Sequence, residues 1–370
     1  MAVLTEEQAM LRDAAREWVK DQAPVSAYRR VRNAGGAAGF DPAVYAEIAR
    51  MGWTAALVPA AQDGAEVGMV GIGVVLEEMG RTLTASPLLT TGVIGVSALL
   101  LGGSSGQQAQ WLPGIVEGRT LTALALEEGS HHAPEALAMA AARDGDAYRL
   151  SGAKRFVLEG SSATLFVVAA LADGEPALFL VPADAAGLRV EALQQADGRG
   201  VANLSFDGVR AERLAGGALT GAALLEALLD RARAAVAAEM LGMMTQAFET
   251  TLDYMKTRVQ FGQTIGSFQA LQHRAADIYS ELELTRSSVE GALAAIDREA
   301  PDAAQLVALA KWRASDTLHL VSRQMIQLHG GIGMTDEHDA GLYMKRAQTL
   351  ETAFGAARYH KERFGRLAGI

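Results

Sequence analysis

A chain of 370 residues, half of them hydrophobic, has material for two or three domains and a large buried core. Its formal charge of −10 and the lack of any basic run exclude a binder of phosphate backbones, so no nucleic-acid partner is expected. With zero cysteines there is no disulfide framework, no thiol nucleophile and no Cys-ligated metal.

In chain order, the segment from Met1 to Glu7 starts acidic and has neither a basic n-region nor an apolar h-region. No export signal is expected, and the chain is predicted to be cytoplasmic. Thr5 followed by Gln8 reads as a capping box opening a helix with Leu4, Leu11, Ala15 and Trp18 on one face. Asp41-Pro42 sets an N-cap with Pro at the first helical position, and Val44, Ile48 and Met51 follow to a stop at Gly52. Ile72, Val75, Leu76 and Met79 place a third helix, ended by Gly80. The longest apolar run, near Val93 to Leu101, contains Gly95 and is too short to cross a bilayer, so no membrane partner is expected.

From Thr120 short β-prone segments alternate with turn signals, which predicts a compact β domain ending near Leu219. Asp144-Gly145 is the strongest hairpin signal, between Met139–Ala142 and Ala147–Leu150. Further strands are predicted at Arg155–Leu158, Leu165–Ala169, Ala177–Val181 and Ala202–Phe206, with turns at Asp173-Gly174 and Asp197-Gly198. Beyond it Leu225, Leu228, Met240, Met244, Phe248, Leu252 and Met255 ride one long helix to about Arg258. Three more helices follow, roughly Ser267 to Arg298, Pro301 to Leu328 and Asp336 to Phe364. The predicted fold is mainly α with a central β domain: helical over 1–119, β over 120–219, a four-helix bundle over 220–370.

Two patterns with catalytic associations fail on context. Gly102-Gly103-Ser104-Ser105-Gly106 fits the nucleophile-elbow formula and His329-Gly330-Gly331 resembles an oxyanion loop, but the order is reversed and no alternating α/β pattern surrounds either. Glu128-Gly129-Ser130-His131 has the Glu-x-x-His spacing of di-iron bundles, yet it is single and lies in the β region. His131-His132 reads as a solvated loop pair, and no metal site is expected.

Two other stretches combine glycines with side chains able to grip a polar ligand: Arg258-Val259-Gln260-Phe261-Gly262-Gln263-Thr264-Ile265-Gly266-Ser267-Phe268-Gln269, and Gln327-Leu328-His329-Gly330-Gly331-Ile332-Gly333. Glycine lets backbone N–H groups approach a phosphate, Arg offers a bidentate charged partner, and Gln pairs with an adenine edge or a ribose. Their order inside a helical C-terminal block resembles the acyl-CoA dehydrogenase family. Gly52-Trp53, Val58-Pro59, Glu77-Glu78-Met79-Gly80-Arg81, Leu112-Pro113 and Glu117-Gly118 extend the resemblance through the first domain.

The resemblance implies a middle β-barrel and FAD bound across a dimer interface, with the flavin ring in one subunit and its ADP end reaching the neighbour. Arg258, Gln260, Phe261 and Gln269 stand at positions that contact adenosine and pyrophosphate, as do Gln327, Gly330 and Gly331 of the second loop. Asp230 and Arg233 stand at positions that contact the CoA moiety and the thioester end. Around the flavin ring the pattern departs. Glu127-Glu128-Gly129 replaces a Thr-Glu-Pro turn, and Phe156-Val157-Leu158 replaces a Trp-Ile-Thr segment. Each lost donor on a buried polar edge costs about 1–3 kcal/mol.

The base departs as well. Dehydrogenation needs a carboxylate to take the α-proton of the acyl thioester while hydride goes to the flavin, and the two places where the family carries that Glu hold Phe354 and Ala232. General-base catalysis is worth about 10²–10⁴-fold. The resemblance therefore implies a flavoprotein subunit that takes part in α,β-dehydrogenation of an acyl-CoA, lends the ADP half-site to a homologous catalytic partner in a heterotetramer, and leaves the catalytic residue unassigned. Such mixed assemblies often act on bulky ring-bearing acyl-CoAs such as steroid side chains, and electron-transfer flavoprotein is the acceptor implied. The alternatives are a self-sufficient homotetramer with a displaced base such as Glu351, one turn before Phe354, a family member doing other flavin chemistry, or a flavin-free acyl-CoA-binding scaffold.

Overall fold

The computed structural model describes residues 4–370, so Met1, Ala2 and Val3 of the acidic start lie outside the described residues. Local capping fixes the first helices. Thr5 and Gln8 exchange side-chain and backbone bonds at the head of α1 (Glu6–Gln22), which buries Ala15 and Trp18. After α2 (Val25–Ala34), Asp41 accepts from the Ala43 amide and opens α3 (Pro42–Arg50). The buried face of α3 is Tyr45 with Ile48; Met51 is 43% exposed, because the helix ends there and Gly52 turns left-handed (φ 76°). Helix α4 runs Gly68–Arg81, one residue past the predicted stop. A π-helical segment (Leu89–Gly95), α5 (Val96–Gly102) and α6 (Ser105–Val116) complete the first helical stretch. The bundle helices are α7 (Gly221–Thr257), α8 (Gln269–Asp297), α9 (Ala303–His329), α10 (Ala340–Thr352) and α11 (Ala357–Leu367).

The described residues divide into two units: 4–28, 69–84 and 233–370 form one, and 29–68 with 85–232 the other. In the first unit α4 is buried almost all round and is packed by backbone proximity. A Cβ on Gly242 of α7 would overlap the Glu77 carbonyl, and one on Gly80 would overlap that of Glu239. Charge then fixes α4. Glu77 meets Arg286 of α8 at 2.7 Å, Glu78 meets Arg16 of α1 at 2.6 Å, and the Asp297 carboxylate caps the Met69 and Val70 amides. Burial pushes the Glu77 carboxyl up, and Arg286 opposes that shift. Glu239 of α7 and Arg346 of α10 form a buried pair at 2.7 Å.

In the second unit the strands are β1 (Thr122–Ala125), β2 (Ala140–Asp144), β3 (Ala147–Leu158), β4 (Leu165–Ala172), β5 (Glu175–Pro182), β6 (Leu188–Gln194) and β7 (Gly200–Arg213). The order β4-β2-β3-β7-β5 closes on itself because β5 also pairs with β4, so the sheet is a barrel, with β1 beside β4 and β6 beside β7. Its interior is filled by Phe166, Val168, Phe179, Val181, Leu204 and Val209. The segments predicted separately at 147–150 and 155–158 are one strand, interrupted by a register shift between Lys154 and Val157 where Phe156 takes φ 51°.

Candidate functional site

The first of the two glycine-bearing stretches begins where α7 unwinds. The Arg258 amide still bonds back to the Tyr254 carbonyl (2.8 Å), after which β8 (Val259–Gln260) and β9 (Gln263–Thr264) form a hairpin. Its two-residue turn has both φ values positive, Phe261 at 53° and Gly262 at 80°, as a type I′ turn requires. The hairpin is closed at its foot by the Ile265 amide on the Arg258 carbonyl (2.8 Å). Arg258, Gln260 and Gln269 are exposed, and Phe261 at the tip is 91% exposed with its ring edge-on to Phe268.

The second stretch ends α9. Gly330 takes φ 64° and ψ −139°, a conformation reserved for glycine, and nothing lies within 4 Å of a Cβ built on Gly330 or Gly331. Gln327, Gly330 and Gly331 are exposed. The fold brings the two stretches together over a small core of Met255, Ile265 and Leu328. Tyr254 and His329 link them further: the Tyr254 hydroxyl donates to the His329 carbonyl (3.3 Å) and the rings lie 4.4 Å apart. Tyr254 has no role in the sequence reading, although it lies one helical turn before Arg258, and His329 stands there within its motif without an assigned contact. The result is a solvent-facing edge carrying a guanidinium, amide side chains and bare backbone, a donor set suited to phosphate and adenine.

The predicted helix from Asp336 to Phe364 is two helices. They are broken at Phe354 (φ 54°) and Gly355 (φ 108°), one of the two places where the sequence resemblance implies a missing base. Buried cationic side chains hold this turn by its carbonyls. Lys311, wholly buried, donates to Leu350, Glu351 and Gly355 oxygens at 3.0, 3.3 and 3.2 Å, and to Ser315 Oγ. Arg233, also 0% exposed, donates to the Phe354 carbonyl and the Tyr359 hydroxyl (both 3.3 Å), and its guanidinium carbon sits 5.5 Å from the Tyr359 ring centre. His360 Nε2 donates to the same Phe354 carbonyl (3.0 Å). Arg233 is thus no part of a solvated face, whereas Asp230 is half-buried. Glu351 accepts from His319 Nδ1 (3.0 Å) and Arg323 Nη1 (3.4 Å), so both carboxylate oxygens are engaged by α9.

In the β domain Glu128 is engaged within the chain itself. It accepts from buried Lys154 (2.7 Å) and from the Ala138 and Met139 amides, tying down the loop after β1. Burial alone would raise the Glu128 carboxyl, but Lys154 and the two amides hold it below the usual carboxylate range. His131 and His132 do not form a solvated pair: the His132 side chain is 6% exposed and its Nδ1 donates to Glu127 (2.6 Å). Among the described residues no group of three or more His, Cys, Asp or Glu is placed to hold a metal. Phe156 is 52% exposed on its bulge.

Three family profiles, described as the N-terminal, middle and C-terminal domains of acyl-CoA dehydrogenase, match residues 5–119, 123–209 and 220–368. The chain belongs to the acyl-CoA dehydrogenase family. As an acyl-CoA dehydrogenase it is an FAD-dependent oxidoreductase of the CH–CH class. Acyl-CoA dehydrogenase FadE27 of Mycobacterium tuberculosis is 32% identical over 338 residues, 88% of each chain. A solved structure of a variant of the Tcur3481-Tcur3483 steroid ACAD superposes with a TM-score of 0.91 at 34% identity, covering 98% of both chains. The ChsE4-ChsE5 complex from Mycobacterium tuberculosis gives a TM-score of 0.91 at 27% identity over 99% of this chain and 98% of that one. Among the described residues of this acyl-CoA dehydrogenase no helix is long and apolar enough to cross a membrane.

Proposed function

We propose that the chain is the non-catalytic kind of subunit in a hetero-oligomeric acyl-CoA dehydrogenase. In that role Arg258, Gln260, Phe261, Gln269, Gln327, Gly330 and Gly331 hold the ADP end of an FAD whose flavin ring, together with the base, belongs to a homologous partner. The observation that carries this reading is that the turn at Phe354 offers only backbone carbonyls, each met by a buried cationic side chain, where α-proton abstraction needs a carboxylate. Ala232, at the other place where the family keeps its Glu, is an apolar side chain with 0% exposure. The open space beside Gly330 and Gly331 and the β8–β9 hairpin, which leaves Arg258 and Gln260 exposed, support this reading. When bound, FAD supplies the hydride acceptor; the residues of this chain bind and orient its tail.

The paired names of the Tcur3481-Tcur3483 and ChsE4-ChsE5 structures, and the steroid label on the first, support a two-chain enzyme acting on a ring-bearing acyl-CoA. Asp230 lies on the same helix as Arg233 and is the proposed CoA contact. Arg233 serves the thioester end through the Phe354 turn, and electron-transfer flavoprotein is the proposed acceptor. The test is the flavin-to-chain ratio of the protein purified alone and with a homologous partner, alongside reduction of an artificial acceptor by acyl-CoA. The chain alone should be flavin-poor and inactive, and the pair should hold one flavin for two chains. One tightly held flavin per chain in the solo preparation, with desaturation at an ordinary rate, would falsify the assignment.

A further inference from the structure

Within the two cofactor stretches one buried side-chain atom among the described residues lacks a hydrogen-bond partner: Nε2 of His329, a residue 3% exposed. Its ring is enclosed on two sides, by Tyr254 with centroids 4.4 Å apart and by His338 at 4.2 Å. Nδ1 donates to the Met325 carbonyl at 2.7 Å, which uses the single N–H of a neutral imidazole and leaves Nε2 as a bare acceptor. The next residue is Gly330, at its glycine-only backbone angles, and the next helical turn from Tyr254 carries Arg258.

We propose that neutral His329 is the positioning residue that couples the two loops, keeping Gly330 and Gly331 in register with Arg258, and that a proton on Nε2 uncouples them and releases a bound ADP moiety. This rests on the proposed role of these loops as the ADP half-site. A proton at Nε2 creates a buried N–H with no acceptor and a charge wedged between two rings. The groups facing it are the Tyr254 phenol from α7 and His338, flanked by Glu337 and Asp339, from the turn before α10; from α9 itself the Met325 carbonyl faces the other nitrogen. His338 already uses Nδ1 to accept the Ala340 amide (3.1 Å). Burial holds His329 below the ordinary histidine range, the Met325 bond pulls it back up, and His338 pushes it further down. At neutral pH the ring is therefore uncharged and the loops are joined.

ADP binding to the full-length chain, followed by calorimetry from about pH 8 to about pH 5, brackets the ordinary histidine value. Wild-type affinity should fall about tenfold per pH unit once the ring titrates. His329→Asn keeps a donor near the Nδ1 position but cannot titrate, so its affinity should follow only the ionisation of the ADP terminal phosphate, at about pH 6 and common to both proteins, without the wild type's further loss. The same acid loss in His329→Asn, or its disappearance only in His338→Asn, overturns the proposal. Amide exchange of residues 328–334, corrected for intrinsic rates, reads the coupling without any nucleotide. Protection lost in acid by the wild type but not by His329→Asn supports the coupling even if ADP binds at no pH, in which case the half-site reading alone falls. Protection unchanged by acid in the wild type overturns the coupling whatever the variants do.

Discussion

Lys311 Nζ lies 3.2 Å from the carbonyl oxygen of Gly355, so a wholly buried amine from α9 caps the turn between α10 and α11, the proposed place of the missing base. Burial pulls this amine down to about 7, with Glu351 drawing it up and Arg233 pressing it further down. The folded value lies below the ordinary lysine value of 10.5, so across that window the unfolded chain binds a proton that the folded chain has released. Stability should therefore rise with pH from about 7 to 10.5, and below 7 the cost of burying the charge is fully present. Lys311→Met should flatten that rise and lower stability by about 1–3 kcal/mol for each carbonyl left unmatched. Urea unfolding at several pH values decides it; a wild type with no slope in this window would show that Lys311 does not titrate there.

Gly242 of α7 faces the Glu77 carbonyl of α4 without room for a side chain. Gly242→Ala must push the two helix backbones apart, at a cost of roughly 1–3 kcal/mol or more for overpacking. It also disturbs the pair of Glu77 with Arg286. Gly341 of α10 has open space where a Cβ would stand, with nothing within 4 Å. Gly341→Ala should be neutral or stabilise by up to about 1 kcal/mol through helix propensity. Thermal unfolding of the two variants should move in opposite directions or not at all for the second, and equal losses would show that close approach is not what Gly242 provides.

The parts of this molecule legible in its sequence are those whose partners lie within a few residues. Thr5 needs only Gln8, Asp41 needs only the Ala43 amide, and Asp173-Gly174 turns β4 into β5 with its own φ values of 53° and 84°. The break between α10 and α11 is not legible, because apolar periodicity runs through it. What forces Phe354 left-handed is a set of donors from Lys311, Arg233 and His360, the first two more than 40 residues away in sequence. Strand β6 escaped because most of its residues face outward and carry no alternating apolar signal. At the site, the residue types of both loops could be read, but the contact between Tyr254 and His329 spans 75 positions and exists only in the folded chain.

Phe261 occupies the first central position of a type I′ turn, where Asn is the residue local geometry prefers. A left-handed residue with a Cβ costs roughly 1–2 kcal/mol, so Phe261→Asn should raise the melting temperature of the isolated chain by a few degrees. If the 91% exposed ring serves the cofactor or partner, the same change should loosen flavin in the assembled pair. Flavin release measured by fluorescence on dilution provides the second readout. A variant that is more stable and holds flavin as well as the wild type would show that the strained aromatic contributes nothing to the assembly.

Glu351 is the nearest carboxylate before the Phe354 turn along the chain, and the structure gives it other work: His319 and Arg323 engage both of its oxygens on the α9 side. A base must aim a carboxylate oxygen within about 3 Å of the proton it takes, and both Glu351 oxygens are turned to α9. Glu351→Gln should therefore leave the turnover of the assembled pair within about twofold, since a displaced base would cost about 10²–10⁴-fold. It should lower stability by only about 1 kcal/mol, as expected for partly exposed ion pairs. Steady-state reduction of an artificial acceptor by acyl-CoA supplies the rate. A loss of a hundredfold or so at unchanged flavin content would identify Glu351 as the proton acceptor and return the chain to the self-sufficient members of its family.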